Sequence, residues 1–219
     1  MRVIGIDLSG PKNHKDTYLA VFEKQGNGLK LEKVAGGLSD SAILTEVAEQ
    51  SSVDEVVIGM DAPLSYQDGG GDRPGDRSLR QFIVNIGMKS GSIMPPTLNR
   101  MVYITLRGIK LTREIEELEA PHPISIVEVH PGAIIGSRIA ASDIPSVLSY
   151  KKDQSSRSMT RKLLEQEMQA ELPAEIEQEN HSIDACAAAL GAWHWRDPER
   201  DPKWLHPAER PMHPYDYCC

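Results

Sequence analysis

Three acidic residues lie in short apolar runs, one in each run. A fourth acidic residue follows a histidine by three positions in an alanine-rich stretch. The residues in the runs are Asp7, Asp61 and Glu128, and those in the stretch are His181 and Asp184. Carboxylates that gather at one place repel one another unless cations are bound. Mg²⁺ takes oxygen ligands of this kind and keeps waters and phosphate oxygens around it. If the chain brings these acids together, they could hold Mg²⁺ or Mn²⁺ and promote the attack of water on a phosphodiester.

The acid-bearing runs have the composition of buried β-strands. Val3, Ile4 and Ile6 precede Asp7, and a similar run over residues 54–61 ends at Asp61 before Ala62-Pro63. A carboxylate at the carboxyl end of a central strand lies where open α/β sheets place their ligands. For both aspartates the alternative is a structural role, in which the side chain caps or solvates the following turn.

Residues 123–131 predict a further buried strand, in which Glu128 and His130 share one face. Which of these two side chains contacts a metal depends on strand register, and the sequence leaves that open. Residues 180–193 predict a closing helix that Asn180 or Ser182 could cap, and its Ala and Gly residues would allow close packing.

The remaining periodic segments predict outer strands and further helices. The outer strands are predicted at 16–23 and 29–34, and the helices at 40–50, 81–86, 97–119, 132–141 and 163–179. This order of elements is that of the RNase H-like arrangement, an α/β fold with a five-stranded mixed sheet in the order 3-2-1-4-5, flanked by helices. In it, Asp7, Asp61 and Glu128 would meet at one edge, and the closing helix would add Asp184. We predict one domain over residues 1–195, with a basic insertion at 66–119 after the fourth strand, and an irregular C-terminal tail at 196–219.

Basic residues are concentrated in one part of an acidic chain. Between residues 73 and 113 there are eight basic residues and one acid, whereas the whole chain of 219 residues has a formal charge of −8. Such segregation suits contact with a phosphate or a polyanion, and a solvated helical face is the alternative. The predicted substrate-binding residues are Arg73, Arg77, Arg80, Arg100 and Lys151.

The bulk composition excludes several classes of protein. The net charge of −8 argues against a general nucleic-acid coat, and the three cysteines do not form a disulfide framework. Because no apolar run is long enough for a membrane helix and no signal peptide is evident, we expect a cytoplasmic protein without a membrane partner. The sequence does not indicate an oligomeric state.

Five segments of the chain resemble the motifs of domain-of-unknown-function family 429. They are IGIDLSG (4–10), GMDAPLS (59–65), DRSLR (76–80), VEVHP (127–131) and IDACAA (183–188). That family is described as predicted nucleases with an RNase H fold, related to the RuvC-like group. The resemblance implies a metal-dependent phosphodiesterase site on Asp7, Asp61 and Asp184, with Glu128 as a further member. The pair His181-x-x-Asp184 is similar to a His-x-x-Asp variant of the closing-helix motif in RuvC-like resolvases.

The chain departs from the family pattern at Gly75, where the family often has a cysteine before the Asp-Arg pair, so a role for that cysteine is absent.

We therefore expect a nuclease that hydrolyses nucleic acid, of unknown type, by a two-metal mechanism with Mg²⁺ or Mn²⁺. Its expected catalytic residues are Asp7, Asp61, Glu128, His181 and Asp184, of which the three aspartates bind metal. One alternative is an actin-like phosphotransferase, which also opens with a strand ending in Gly-x-Asp, although this chain is short for two such domains. Another is a non-catalytic RNase H-like module that binds nucleic acid or protein.

Overall fold

The computed structural model describes residues 1–219, apart from the side chain of Val147. Seven strands form a single sheet, and helices cover both of its faces. The strands are β1 (Arg2–Asp7), β2 (Tyr18–Gln25), β3 (Gly28–Gly36), β4 (Val56–Asp61), β5 (Ile124–Val129), β6 (Leu205–His206) and β7 (Tyr217–Cys218). The α-helices are α1 (Asp40–Ser51), α2 (Pro74–Asn85), α3 (Val102–Glu116), α4 (Pro131–Gly136), α5 (Ile144–Val147), α6 (Gln154–Met168) and α7 (Asn180–Arg196).

The sheet has the strand order β3-β2-β1-β4-β5-β7-β6. β1 is antiparallel to β2 and parallel to β4, and β4 is parallel to β5. The predicted α/β class is confirmed, and the first five strands follow the predicted order. The predicted number of five strands is wrong, because the segment after residue 195 adds β7 beside β5 and β6 beyond it.

Two apolar layers pack on the two faces of the sheet, as the alternation of side chains along a strand requires. On one face, Ile4 and Ile58 belong to a buried cluster with residues of α1 and α3, including Leu111. On the other face, Val3 and Val57 belong to a cluster with residues of α7. Two-sided burial accounts for the nearly continuous apolar character of β1 and β4.

The basic segment at 66–119 belongs to the body of the fold. It forms α2 and α3 with loops before and between them. Leu79 and Ile83 of α2 are buried in the cluster on the α7 face, whereas Leu111 and Ile115 of α3 are buried in the opposite cluster. The segment therefore covers both faces of the sheet. Within the described residues, no helix is both long enough and apolar enough to cross a membrane.

Candidate functional site

Asp7 and Asp61 are direct neighbours at the carboxyl edge of the parallel strands. They are the last residues of β1 and β4, and the register pairs one with the other. Adjacent strands lie about 4.8 Å apart, and residues paired in a parallel register point to the same face. Both carboxylates therefore lie on the face of the sheet that α7 covers.

Helix α7 brings Asp184 to this pair because it packs unusually close to the strands. A Cβ atom added to Gly5 would lie 1.9 Å from the carbonyl oxygen of Ala185, and one added to Gly59 would lie 2.2 Å from that of Ala188. Asp184 precedes this contact and is only 1 % exposed. Its negative charge contributes to raising the pKa of both Asp7 and Asp61.

Asp7 forms a hydrogen-bonded pair with His181. The Nδ1 atom of His181 lies 2.7 Å from Oδ2 of Asp7, and the imidazole stacks on the ring of Tyr18. Burial raises the pKa of Asp7 to about 6 even though the hydrogen bond from His181 acts in the opposite direction. The same hydrogen bond raises the pKa of His181. The hydrogen bond therefore favours the ionised carboxylate of Asp7 and the protonated imidazole of His181, whereas burial opposes the charged form of each.

Asp184 is held by two consecutive residues of the turn between α5 and α6. The hydroxyl of Tyr150 donates to Oδ1 at 2.5 Å, and Nζ of Lys151 lies 3.0 Å from Oδ2. Burial lowers the pKa of Lys151, but the carboxylates of Asp184, Asp61 and Asp7 outweigh that effect, so the pKa is raised overall. The sequence predicted Lys151 as a substrate-binding residue and did not point to Tyr150, which lies 34 residues from Asp184.

Asp61 is the least satisfied member of the group. It is partly buried, and no hydrogen bond to its carboxylate is formed within the described residues. Burial first, and then the charges of Asp7 and Asp184, raise its pKa well above the usual range. The carboxylate is not among the fully buried polar atoms that lack a hydrogen-bond partner, so its oxygens remain open to solvent or to a ligand.

Glu128 lies apart from the three aspartates because of the strand register. It pairs with Met60 rather than with Asp61, and so points to the opposite face of the sheet. There its carboxylate accepts hydrogen bonds from Nη2 of Arg73 at 2.5 Å and from Nη1 at 2.7 Å. It also accepts a hydrogen bond from the backbone N–H of Leu64. Its oxygens are therefore occupied by a buried salt bridge.

Both ring nitrogens of His130 also form hydrogen bonds. Its Nδ1 accepts the backbone N–H of Ala133 at 3.0 Å, which caps α4, and its Nε2 donates to the carbonyl of Ser92 at 3.2 Å. Burial lowers the pKa of this imidazole, which favours the neutral form that both bonds require. Both ring nitrogens are thus used in positioning the chain after β5.

The predicted basic residues differ in their accessibility. Arg73 is buried against Glu128 and Asp76, and Arg80 pairs with Asp72. Arg77 and Arg100 are exposed to solvent. Arg77 donates a hydrogen bond from Nη1 to the backbone carbonyl of Asp72 at 2.7 Å, whereas Arg100 forms no ion pair or side-chain hydrogen bond among the described residues. Arg100 is therefore the predicted arginine that remains free to meet a bound anion.

Arg107, which was not singled out from the sequence as a binding residue, fixes the chain just beyond Asp7. Its guanidinium donates to the carbonyl of Ser9 at 2.9 Å and to Oγ1 of Thr17 at 2.7 Å, and it pairs with Asp40 at 2.7 Å. This buried arginine therefore ties α3 and the start of α1 to the loop that leaves β1.

The three aspartates offer the oxygen atoms and the negative charge that a hard divalent cation requires. Three carboxylates converge, one of them has no partner, and Lys151 supplies a single positive charge. In the conformation described, however, no group of three or more His, Cys, Asp or Glu side chains among the described residues is arranged to hold a metal ion. Metal binding by all three aspartates would therefore need side-chain movement, at least of Lys151 away from Asp184.

The fold and the site define an α/β protein with an acidic centre at the carboxyl edge of its parallel strands. Residues 5–209 match the model of a family described as protein of unknown function (DUF429), and the chain therefore belongs to that family. Neither a curated protein nor a solved structure matches the chain.

Proposed function

We propose that this protein is a metal-dependent nuclease of the RNase H-like kind, which hydrolyses phosphodiester bonds at the centre formed by Asp7, Asp61 and Asp184. The strand order of the first five strands supports the RNase H-like assignment. So does the placement of acids on β1, β4 and the closing helix α7. The observation that carries the proposal is the register pair Asp7–Asp61 facing Asp184.

The centre gathers three carboxylates, and a bound cation would relieve their mutual repulsion. When bound, Mg²⁺ or Mn²⁺ supplies charge stabilisation to the phosphoryl oxygens and promotes attack by water. The water oxygen forms a bond to phosphorus as the bond to the leaving oxygen breaks, and the leaving oxygen takes up a proton. The sequence-based expectation of two ions remains a prediction.

His181 is the group best placed to move that proton. Its Nδ1 is held by Asp7, which leaves Nε2 to exchange a proton with a bound substrate. The hydrogen bond with Asp7 raises the pKa of the imidazole, so a larger fraction is protonated near neutral pH. The side chain is 29 % exposed, so a ligand can reach it from solvent.

The exposed arginines support nucleic acid as the substrate. Arg77 and Arg100 are exposed in a segment rich in positive charge, although Arg77 also donates a hydrogen bond to the carbonyl of Asp72. Contacts between such side chains and phosphates give affinity without sequence preference. Phosphate contacts by these residues do not distinguish DNA from RNA. We infer only that the substrate carries a phosphodiester chain.

The proposal is tested by incubating the full chain with labelled single-stranded, duplex and branched DNA and RNA, in Mn²⁺ or in EDTA. We expect cleavage that requires metal and that Asp61→Asn lowers by at least about 100-fold, since several kcal/mol of charge stabilisation depend on the ion. Asp68→Asn is the matched control, because it makes the same change of charge at an exposed loop residue.

An absence of cleavage in every substrate, together with no rise in melting temperature on adding Mn²⁺, would overturn the proposal. That result would favour the non-catalytic RNase H-like module. The ion pair of Lys151 with Asp184 is the observation that fits this alternative, since it partly neutralises the centre without a metal.

A further inference from the structure

We propose that the Lys151 ammonium serves as one of the two cations of the acidic centre, so that Asp7 and Asp61 together hold a single divalent ion. This inference rests on the proposed metal-dependent function and specifies its cation requirement. It gives Lys151 a role inside the catalytic centre, distinct from the substrate-binding role that the sequence predicted.

The position of Lys151 is the first argument. Its Nζ lies 3.0 Å from Oδ2 of Asp184, while the other carboxylate oxygen of Asp184 accepts the Tyr150 hydroxyl. Asp184 is 1 % exposed, so both of its oxygens are used within a closed environment. An ammonium ion in this place neutralises the carboxylate that would otherwise bridge to a second metal ion.

The Lys151 side chain also packs against the ring of Tyr150. Its ammonium group lies 5.6 Å from the centre of the Tyr150 ring, and the Tyr150 side chain is fully buried. A cation over an aromatic face gains electrostatic energy in addition to the ion pair. The lysine side chain as a whole is 56 % exposed, so it also remains accessible to a ligand from solvent.

Charge balance is the second argument. With His181 neutral, the three ionised aspartates carry three negative charges, which one divalent ion and one ammonium ion together neutralise. Two divalent ions in addition to Lys151 would leave the centre with excess positive charge. The fourth acid that could offset it, Glu128, lies on the other face of the sheet in its salt bridge with Arg73.

The arrangement of the aspartates is the third argument. Asp7 and Asp61 are paired in register on adjacent strands, and Asp61 has no hydrogen-bond partner within the described residues. Mg²⁺ is commonly bound by one or two carboxylates, with waters and substrate phosphate completing its shell. A two-carboxylate site also agrees with the absence, among the described residues, of any group of three or more acidic, imidazole or thiol side chains arranged for a metal.

The experiment is a count of bound Mn²⁺ per chain, made by titrating the full chain and measuring free Mn²⁺ by electron paramagnetic resonance. We expect one ion per chain for the wild type and none for Asp61→Asn. For Lys151→Met we expect two ions, because Asp184 then lacks its counter-charge and can take part in a second site. Lys151→Arg keeps the charge and is expected to restore a single ion.

Lys152→Met is the matched control, since it removes the same charge from the adjacent, exposed residue. It should bind one ion, as the wild type does. Melting curves of the two methionine variants in EDTA establish that both are folded before the ions are counted.

Two ions in the wild type, or one ion of unchanged affinity in Lys151→Met, would overturn the role of Lys151 and leave metal-dependent hydrolysis standing. Failure of the wild type to bind any ion would overturn both proposals. The wild-type count thus separates failure of metal binding from failure of the role of Lys151, and the count for Lys151→Met is made on a variant already shown to be folded.

Discussion

At the scale of single residues, Asp61 shows the conflict between stability and function most directly. Its pKa is raised well above the usual range, first by burial and then by the charges of Asp7 and Asp184. The folded state therefore holds the proton more tightly than the unfolded chain does. As pH rises above about 4, the value at which an unfolded aspartate ionises, the cost of ionising Asp61 reduces stability.

We therefore expect Asp61→Asn to stabilise the metal-free protein. Asparagine stays neutral at every pH, and the carboxylate forms no hydrogen bond in the described structure that it would lose. In EDTA at about pH 7.5, the free energy of unfolding should rise by about 1–3 kcal/mol, and the gain should vanish at about pH 4. Urea unfolding at the two pH values measures it.

Asp68→Asn, at an exposed position, should change the free energy of unfolding little at either pH. A loss of stability in Asp61→Asn at the higher pH would show that the carboxylate has a structural partner. It would then be acting as a turn residue, which is the alternative that the sequence left open.

The residues that the sequence could identify are those whose role follows from their own position in an element. Asp7 and Asp61 are the last residues of apolar strands, and Asp184 lies near the start of a helix of small residues. The order of the elements therefore predicts that the three residues come together. Glu128 shows the limit of such reasoning. Whether it faces Asp61 or Arg73 depends on one step of strand register, which only the paired strands determine.

At the scale of elements, the close contact between α7 and the sheet is what assembles the centre. A Cβ atom at Gly5 would lie 1.9 Å from the carbonyl oxygen of Ala185 and 2.3 Å from the backbone nitrogen of Ala189. Both are backbone atoms, so the helix itself must move. We expect Gly5→Ala to lower the free energy of unfolding by about 3 kcal/mol.

The same displacement should move Asp184 away from Asp7 and Asp61. We therefore also expect Gly5→Ala to weaken the stabilisation by Mn²⁺, measured as the rise in melting temperature. Gly91→Ala is the control, because a Cβ atom there would have no neighbour within 4 Å. Equal stability of the two variants would mean that α7 can adjust without strain.

Helices and strands with a clear sequence pattern could be predicted, whereas elements without such a pattern could not. The Ala-rich helix was expected at 180–193 and is found as Asn180–Arg196. The acidic helix expected over 163–179 is wrong, because α6 ends at Met168, where Gln169 takes a left-handed conformation with φ of 49°. The strands β6 and β7 contain two residues each, too few to show an alternation, and they exist through pairing with β5 and with each other.

At the scale of the whole molecule, the separation of charge seen in the sequence is largely neutralised by folding. Arg80 pairs with Asp72 and Arg107 with Asp40, so much of the positive charge of residues 73–113 is used inside the fold. Burial and pairing of these side chains could not be predicted from charge counts, because their partners lie outside the basic run or in loops. Lys89, Arg100 and Arg113 are exposed and form no ion pair among the described residues, so their charges remain for a ligand.

Glu128 and Arg73 form the buried pair that joins these parts of the molecule. Arg73, at the start of α2, bridges Glu128 of β5 and Asp76, and lies 5.5 Å from the ring of Tyr217 in β7. Removing one partner of such a pair leaves an uncompensated charge in the interior. We expect Glu128→Gln to lower the free energy of unfolding by about 3 kcal/mol, measured by urea unfolding.

Since Glu128 faces away from the aspartates, the folded Glu128→Gln protein should still bind Mn²⁺ with the stoichiometry and affinity of the wild type. Glu119→Gln, at an exposed position, is the control for the loss of one charge. The opposite result, unchanged stability together with lost Mn²⁺ binding, would place Glu128 among the metal ligands, a role that the sequence left open. The two roles thus predict different outcomes in two independent measurements, because the oxygens of Glu128 are engaged by Arg73 and Leu64 on the face of the sheet away from the aspartates.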